Sequence, residues 1–507
     1  MNTTAEPPLT QRAVSGTAWS TLATAGRQIL SLASVSTVAR LLGPGAYGVM
    51  GMANLLIVFI LNFRDLGTGT AIIQRQSISN KLLSSLVWMN FLLGIVMALT
   101  ICAASPFTAA FFHTPELIPI LCTLSISFWL TSCGVVPSSL LQRGMRFKAL
   151  AGADLSAGLA AFLVALSFAY RGFGVWSLVF ANLASSFVAT TGYWIACRWR
   201  PERKLDREAI QSVLGFSLNL SGFGIVNYFA RNADNITIGK VLGRAQLGNY
   251  QMAYNLMLTP LENISSVIAQ VTLPAFARIQ DDNERFQQAY IRSSMLIALI
   301  TFPVMAGLGV VADPLIRAVL GPKWVGAILI FEILAPVGLV QSIQKSVGQI
   351  YIAKGRTDWM FRWGIITSAI LVTAFLIGVR FGAVGVAASY AVAYLGITML
   401  PSFAIPFKLI GLRLSRFIYA LLPQLLITGA MAGLCWTWLN ALQRLGVSNP
   451  WTRFVSASLV GALFYIAALI FTRPPIMRVL EEVLSHSDNP LVGRFLRLIG
   501  TAKLNDR

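Results

Sequence analysis

Charged and amide side chains that interrupt long apolar runs are costly to bury, so they are the first places to look for chemistry. Four interruptions stand out. Arg27 and Gln28 fall in the apolar run that starts at Gly16. A dense set, Asn219, Asn227, Arg231, Asn232, Asp234 and Asn235, fills the run from Ile210 to Leu242. Asn255, Glu262, Asn263 and Gln270 occupy the next run. Glu332, Gln341, Gln344, Lys345 and Gln349 occupy a later one. Positions 227, 231, 234 and 238 follow a 3–4 spacing, so Asn227, Arg231 and Asp234 share a helix face, and Arg231 can pair with Asp234 at i,i+3. Three arrangements suit that set. It can wall a cavity for a large polar ligand, fix helix packing through an intramembrane ion pair, or sit at the outer interface, where long side chains reach water cheaply.

Arg27 has no acidic neighbour on its own helix, so its partner comes from another helix, a ligand or water. A guanidinium fork suits phosphate, which makes Arg27 the leading candidate for an anion contact. The candidate substrate-binding set is therefore Arg27, Gln28, Asn219, Asn227, Arg231, Asp234, Asn235 and Asn255. Glu332 is either a proton or cation site or a hydrogen-bonded packing carboxyl. Glu262 follows Pro260, where a kink frees backbone carbonyls, and is the other candidate for ion coupling.

Other chemistries are not signalled. The two histidines lie in an outer loop (His113) and the tail (His486), and the five cysteines lack CxxC spacing. No Walker A loop, HExxH or GxSxG is present. The expectation is no catalytic residue, no metal and no cofactor. Any driving force would be an ion gradient, the substrate gradient or downstream consumption of product.

The elements that must position these side chains are membrane spans. Of 507 residues, 56% are hydrophobic and only 11% charged, against about 25% charged in soluble domains. About fourteen helices of about 20 residues would use a little over half the chain. The predicted spans are 1, Gly16–Leu42; 2, Ala46–Phe63; 3, Leu82–Phe111; 4, Leu117–Val136; 5, Gly152–Tyr170; 6, Gly174–Cys197; and 7, Ile210–Leu242. They continue with 8, Leu247–Pro274; 9, Tyr290–Val311; 10, Val325–Gly348; 11, Arg362–Val379; 12, Gly382–Phe407; 13, Phe417–Leu439; and 14, Phe454–Phe471. Spans 1, 7 and 8 are the least apolar. Residues Met1–Ser15 are polar, without the apolar stretch of a signal peptide.

The net charge is +20. In a soluble chain that would suggest nucleic acid, but no basic stripe or stacking platform accompanies it. The cations sit in short gaps between spans. With both termini cytoplasmic, 28 of the 39 Lys and Arg fall on the cytoplasmic side, Lys345 counted among them, and ten fall on or beside the other, including Arg231, Arg317, Lys323, Arg444 and Arg453. That is the positive-inside pattern.

One stretch occurs twice, 200 residues apart. Over positions 39–56 and 239–256 six residues are identical without a gap: Leu42, Gly43, Gly48, Met52, Ala53 and Leu56. Each copy reads as a helix ended by glycine, a tight turn and a second glycine opening the next helix. The offset pairs spans 1 and 2 with 7 and 8. Two parallel six-helix lobes follow, with substrate expected between them. The lobes are residues 1–205 (spans 1–6) and 206–410 (spans 7–12). Residues 411–507 add spans 13–14 and a cytoplasmic tail.

Three stretches carry a family resemblance: Ser15–Gly48; Gln142-Arg143-Gly144-Met145-Arg146-Phe147-Lys148; and Tyr228 to Gln280 with Arg231-Asn232-Ala233-Asp234-Asn235. In these the chain resembles the polysaccharide transporter family of Wzx-type flippases, closest to its colanic acid and succinoglycan exporters. That family lies in the superfamily that also holds multidrug extruders and lipid II flippases. The resemblance covers roughly residues 10–410. It implies a multi-pass protein of the bacterial inner membrane that moves an undecaprenyl-diphosphate-linked oligosaccharide outward. Membrane lipid surrounds it, and polymerase or export machinery would act next. The alternative, an ion-coupled multidrug extruder for cations, is disfavoured by a central Arg27. A membrane polymerase would need a sizeable outer loop, which the chain lacks.

Overall fold

A computed structural model describes residues 26, 28–61, 68–75, 78–202, 228–229 and 231–477. Among these the protein is helical. It divides into two compact units, Met1–Gly248 and Asn249–Arg507.

The first unit contains α1 (Gln28–Leu42), α2 (Pro44–Leu61), α3 (Thr68–Gln74), α4 (Asn80–Phe111), α5 (Leu117–Arg143), α6 (Phe147–Tyr170), α7 (Trp176–Cys197) and α8 (Ala233–Leu242). Helix α9 (Arg244–Arg278) starts in it and continues into the second unit. The second unit adds α10 (Asn283–Val310), α11 (Ala312–Val319), a 3₁₀ turn at Pro322–Ala327, α12 (Ile328–Ala353) and α13 (Thr357–Gly378). It then adds α14 (Gly382–Val392), α15 (Met399–Ile410), α16 (Leu414–Arg444) and α17 (Pro450–Thr472).

Ten stretches are long and apolar enough to cross a bilayer among the described residues. One of them, Thr357–Ile410, is 54 residues long and takes in both predicted spans 11 and 12. Predicted spans 1 and 7 lie in part outside the described residues, and α9, which covers span 8, is not among the ten. Span 1 is represented by the apolar α1, and α8 and α9 are rich in amides and charge. Those are the spans in which the polar residues concentrate.

Between apolar helices in lipid the hydrophobic effect supplies no net attraction, so close packing of small residues must hold them. The α6–α7 pair shows how. Ala153, Ala157, Ala165 and Ala169 recur at multiples of four along α6 and are buried, whereas Leu159 and Leu163 on the other face are exposed. Helix α7 answers with buried Ala181, while its Thr190 turns to α5 and donates to the Leu130 carbonyl at 2.9 Å. The contact is close enough that a Cβ on Gly192 would lie 2.8 Å from the Ala153 Cβ. The second unit packs differently, around an aromatic centre. Phe276, Phe286, Tyr290, Phe403, Phe407 and Phe417 form one buried cluster, with Phe276 and Phe286 stacked at 4.9 Å between centroids.

Between α14 and α15 the chain runs continuously through a π-helical segment, Ala393–Thr398. Each π turn holds one residue more than the α-helix would place there.

The compact units meet at Gly248, whereas the sequence repeat divides the lobes at 205. Within the displaced piece, Tyr228 and α8 pack on α2. The Tyr228 hydroxyl donates to the Leu55 carbonyl, and the Tyr228 and Phe59 rings lie 5.4 Å apart.

Candidate functional site

The polar positions fall into two groups, one in each unit. In the first, Arg27, Asn219 and Asn227 lie outside the described residues. Gln28 is half-buried in α1. Arg231 is exposed and Asp234 is 5% exposed. Among the described residues no ion pair joins these two. Asp234 Oδ1 instead accepts the backbone N–H of Asn235 at 2.7 Å, in the first turn of α8. The Asn235 side-chain oxygen is buried without a hydrogen-bond partner among the described residues, a costly state for an amide.

The turns that aim these helices are built from the repeat. Gly43 and Gly243 both hold φ of +79°, a backbone state that L side chains rarely adopt. Beyond each turn the opening glycine of the next helix meets the other copy. A Cβ on Gly48 would fall into the Arg244 carbonyl, and a Cβ on Gly248 into the Pro44 carbonyl. The two copies therefore cross reciprocally, backbone against backbone, and only glycine fits at either crossing point.

In the second unit Asn255 and Glu262 stand two turns apart on α9, and both are exposed. Glu262 Oε1 lies 3.6 Å from Lys345 Nζ on α12, with the two side chains 63% and 38% exposed. Lys345 was assigned to the cytoplasmic side by the charge count. It lies inside α12, eight residues before its end at Ala353, which is about 12 Å of helix. Glu332, also on α12, is exposed and nearer the other end. The neighbouring amides serve packing. Gln341 Nε2 donates to the Tyr390 hydroxyl at 2.6 Å, and Thr272 Oγ1 donates to Gln349 Oε1 at 2.9 Å.

Two features escaped the sequence reading. Asp154 sits in α6 and accepts a 2.5 Å hydrogen bond from the Tyr193 hydroxyl on α7. It neighbours Leu155, whose side chain a Cβ on Gly26 would touch at 2.8 Å. A lone carboxylate in an apolar run was the available signal, the same one that drew attention to Glu332. The second is the role of the Gln142–Lys148 loop. Arg143 Nη1 donates to the carbonyls of Ile72 at 2.7 Å and Arg75 at 2.5 Å, and so caps α3. Arg146 Nη1 does the same for Ala196 at the end of α7, at 2.8 Å. Orphan carbonyls at helix ends need such donors. In the second unit Lys354 Nζ instead ties down the α9–α10 turn, donating to the Gln280 carbonyl and to Asn283 Oδ1. Among the described residues no group of three or more His, Cys, Asp or Glu could hold a metal.

Comparison with known proteins fits this architecture. The lipopolysaccharide biosynthesis protein WzxC of Escherichia coli is 28% identical over 83% of this chain and 88% of its own length. The succinoglycan biosynthesis transport protein ExoT of Rhizobium meliloti is 24% identical over 92% of this chain and 94% of its own. Among solved structures the lipid II flippase MurJ in an inward closed conformation superposes with a TM-score of 0.69 at 17% identity, covering 89% of this chain and 98% of its own. The fold is thus that of a multi-pass membrane transporter. The profile of the family described as "Polysaccharide biosynthesis protein" matches residues 37–329, and the chain belongs to that family.

Proposed function

We propose that the protein is a flippase that carries an undecaprenyl-diphosphate-linked oligosaccharide across the bacterial inner membrane for polysaccharide biosynthesis. The observation that carries the reading is the Glu262–Lys345 pair. Two charged side chains lie within long helices, on α9 and α12, and are nevertheless exposed. Lipid would not accommodate them there, so they face a water-filled path. Asn255, two turns away on α9, belongs to the same polar face.

The relatives supply the cargo: one is named for lipopolysaccharide biosynthesis and one for succinoglycan transport. Two lobes moving by alternating access would pass the headgroup along this path. Arg27, Arg231 and Lys345 are the cations suited to the diphosphate. Asp234, Asn235, Gln28, Asn219 and Asn227 are the hydrogen-bonding wall. Glu262 and Glu332 are the carboxylates available for ion coupling. A polymerase or export complex would consume the product.

The test is deletion in the host, with lipid-linked intermediates followed by mass spectrometry. Loss of one exopolysaccharide with repeat units accumulating inside is the expected outcome. Intact polymer with raised drug sensitivity would instead establish the multidrug extruder.

A further inference from the structure

At one end of its bundle, on the side of Glu332, the second unit holds a cavity of about 390 Å³. That size falls within the usual range of small-ligand sites. The charge pattern assigns this end to the outside. Helix α11 contributes Asp313 and Arg317, the end of α16 contributes Gln443, the following turn Ser448, and the start of α17 Arg453. Arg317 Nε donates to Asp313 Oδ1 at 2.6 Å, and Arg453 Nη1 lies 4.0 Å from Asp313 Oδ2. Among the lining residues one carboxylate therefore serves two guanidiniums, one positive charge in excess; Glu332 on α12 is near enough to Asp313 for their charges to interact and lies outside the lining. Arg453 Nε is buried and has no hydrogen-bond acceptor among the described residues. A guanidinium presents five donors in a fixed plane, and the Arg453 side chain, 20% exposed, reaches the cavity wall with the rest of that plane.

The same helical hairpin fixes the depth. Trp438 and Trp451 are exposed, and the Trp438 ring N–H donates to Ser456 at 3.2 Å. Tryptophans in that setting mark the headgroup level of a bilayer. Two guanidiniums that share one carboxylate in a polar pocket at that level are suited to an oxyanion, which the planar fork can bind through two donors.

We propose that this cavity binds a single oxyanion, a phosphate or carboxylate, through Arg317 and Arg453. Two sources share that chemistry: the phosphodiester of an anionic membrane lipid and the carboxylate of an acidic sugar. The proposal does not depend on what the protein transports.

The test uses the full chain purified in neutral detergent. Thermal unfolding is followed while short-chain phosphatidylglycerol, short-chain phosphatidylcholine or glucuronate is titrated. A saturable upward shift with phosphatidylglycerol and not phosphatidylcholine assigns the lipid. A shift with glucuronate assigns the acidic sugar. Arg453→Gln and Arg317→Gln are expected to weaken the response at least about tenfold, ~1.4 kcal/mol, while Arg380→Gln, at a turn outside the cavity, leaves it unchanged. Ser448→Asp keeps both arginines, adds a negative charge to the cavity and is expected to abolish the response. Its unliganded midpoint shows that the protein is folded. No shift with either anion, or an undiminished shift in Ser448→Asp, overturns the proposal.

Discussion

The turn at Gly43–Gly48 and the turn at Gly243–Gly248 are two copies of one device set in different surroundings. Both place a glycine at φ +79° and a second glycine against the backbone of the other copy. They differ in what flanks the glycines. The first copy opens its helix with Pro44, whose fixed φ suits the first helical position. The second opens with Arg244, which pairs with both oxygens of Glu116 at 3.1 Å. Lys240, before the second turn, stands 3.8 Å over the Phe111 ring. Tyr228, which binds the Leu55 carbonyl, corresponds at the 200-residue offset to Gln28. The shared residues fix the crossing. The residues that differ tether the second copy to α2 and to the α4–α5 turn.

The sharpest way to break that comparison is to add one carbon at each crossing point. Gly48→Ala and Gly248→Ala should each lose glycan export outright, since overpacking costs ~1–3 kcal/mol even where neighbours can yield, and here the neighbour is backbone. Gly45→Ala, which opens onto free space, should export normally. Exopolysaccharide output measured against membrane protein level decides. Normal export from Gly48→Ala would show that the crossing is dispensable.

Next in size are Gly43→Ala and Gly243→Ala. Each forces a side chain into a disfavoured backbone state at a cost of ~1–3 kcal/mol, so equal losses in thermal stability are expected. Unequal losses would show that one turn yields more readily than its twin.

Tyr228→Phe removes a buried hydrogen bond that the first copy lacks. A loss of ~1 kcal/mol is expected, visible as a lower denaturation midpoint. Gln28→Ala, its counterpart, should move that midpoint less.

The smallest effect is that of Arg244 with Glu116. A double-mutant cycle to alanine should return ~0.2–1 kcal/mol, because both side chains are about half exposed and screened by salt. A zero coupling would leave Arg244 with only its backbone role.

Much of this was legible in the chain. The family resemblance and the membrane class were, and so was the turn built on Gly43 and Gly243, because aligned glycines have few backbone meanings. That Gly48 and Gly248 meet each other was not legible. A repeat reveals equivalence and says nothing of contact. The polar groups were found for the same reason that made spans 1, 7 and 8 poor hydropathy segments. Their partners were harder to read. The spacing allowed Arg231 to pair with Asp234, but Asp234 lies at the opening turn of α8 and takes the Asn235 N–H instead. Glu262 pairs with Lys345, 83 residues away and grouped by charge counting with the loop cations. Asp154 was passed over because its partner, Tyr193, is on another helix. Arg143 and Arg146 counted towards orientation, yet both also hold helix ends. A cation in a short loop satisfies both demands, and sequence alone separates neither.

The π-helical segment Ala393–Thr398 carries a consequence for chain length. A π turn is an α-helix with a surplus residue, so this stretch is where the long Thr357–Ile410 element can lose one residue and remain a helix. Tightening the segment to α geometry with all its residues kept would instead turn everything beyond it by about 100°. Phe403 and Phe407 would then swing away from Tyr290 and Phe417. The wide turn therefore acts as a phase setting: by absorbing the spare residue it keeps the aromatic side chains of α15 in step with the core they fill.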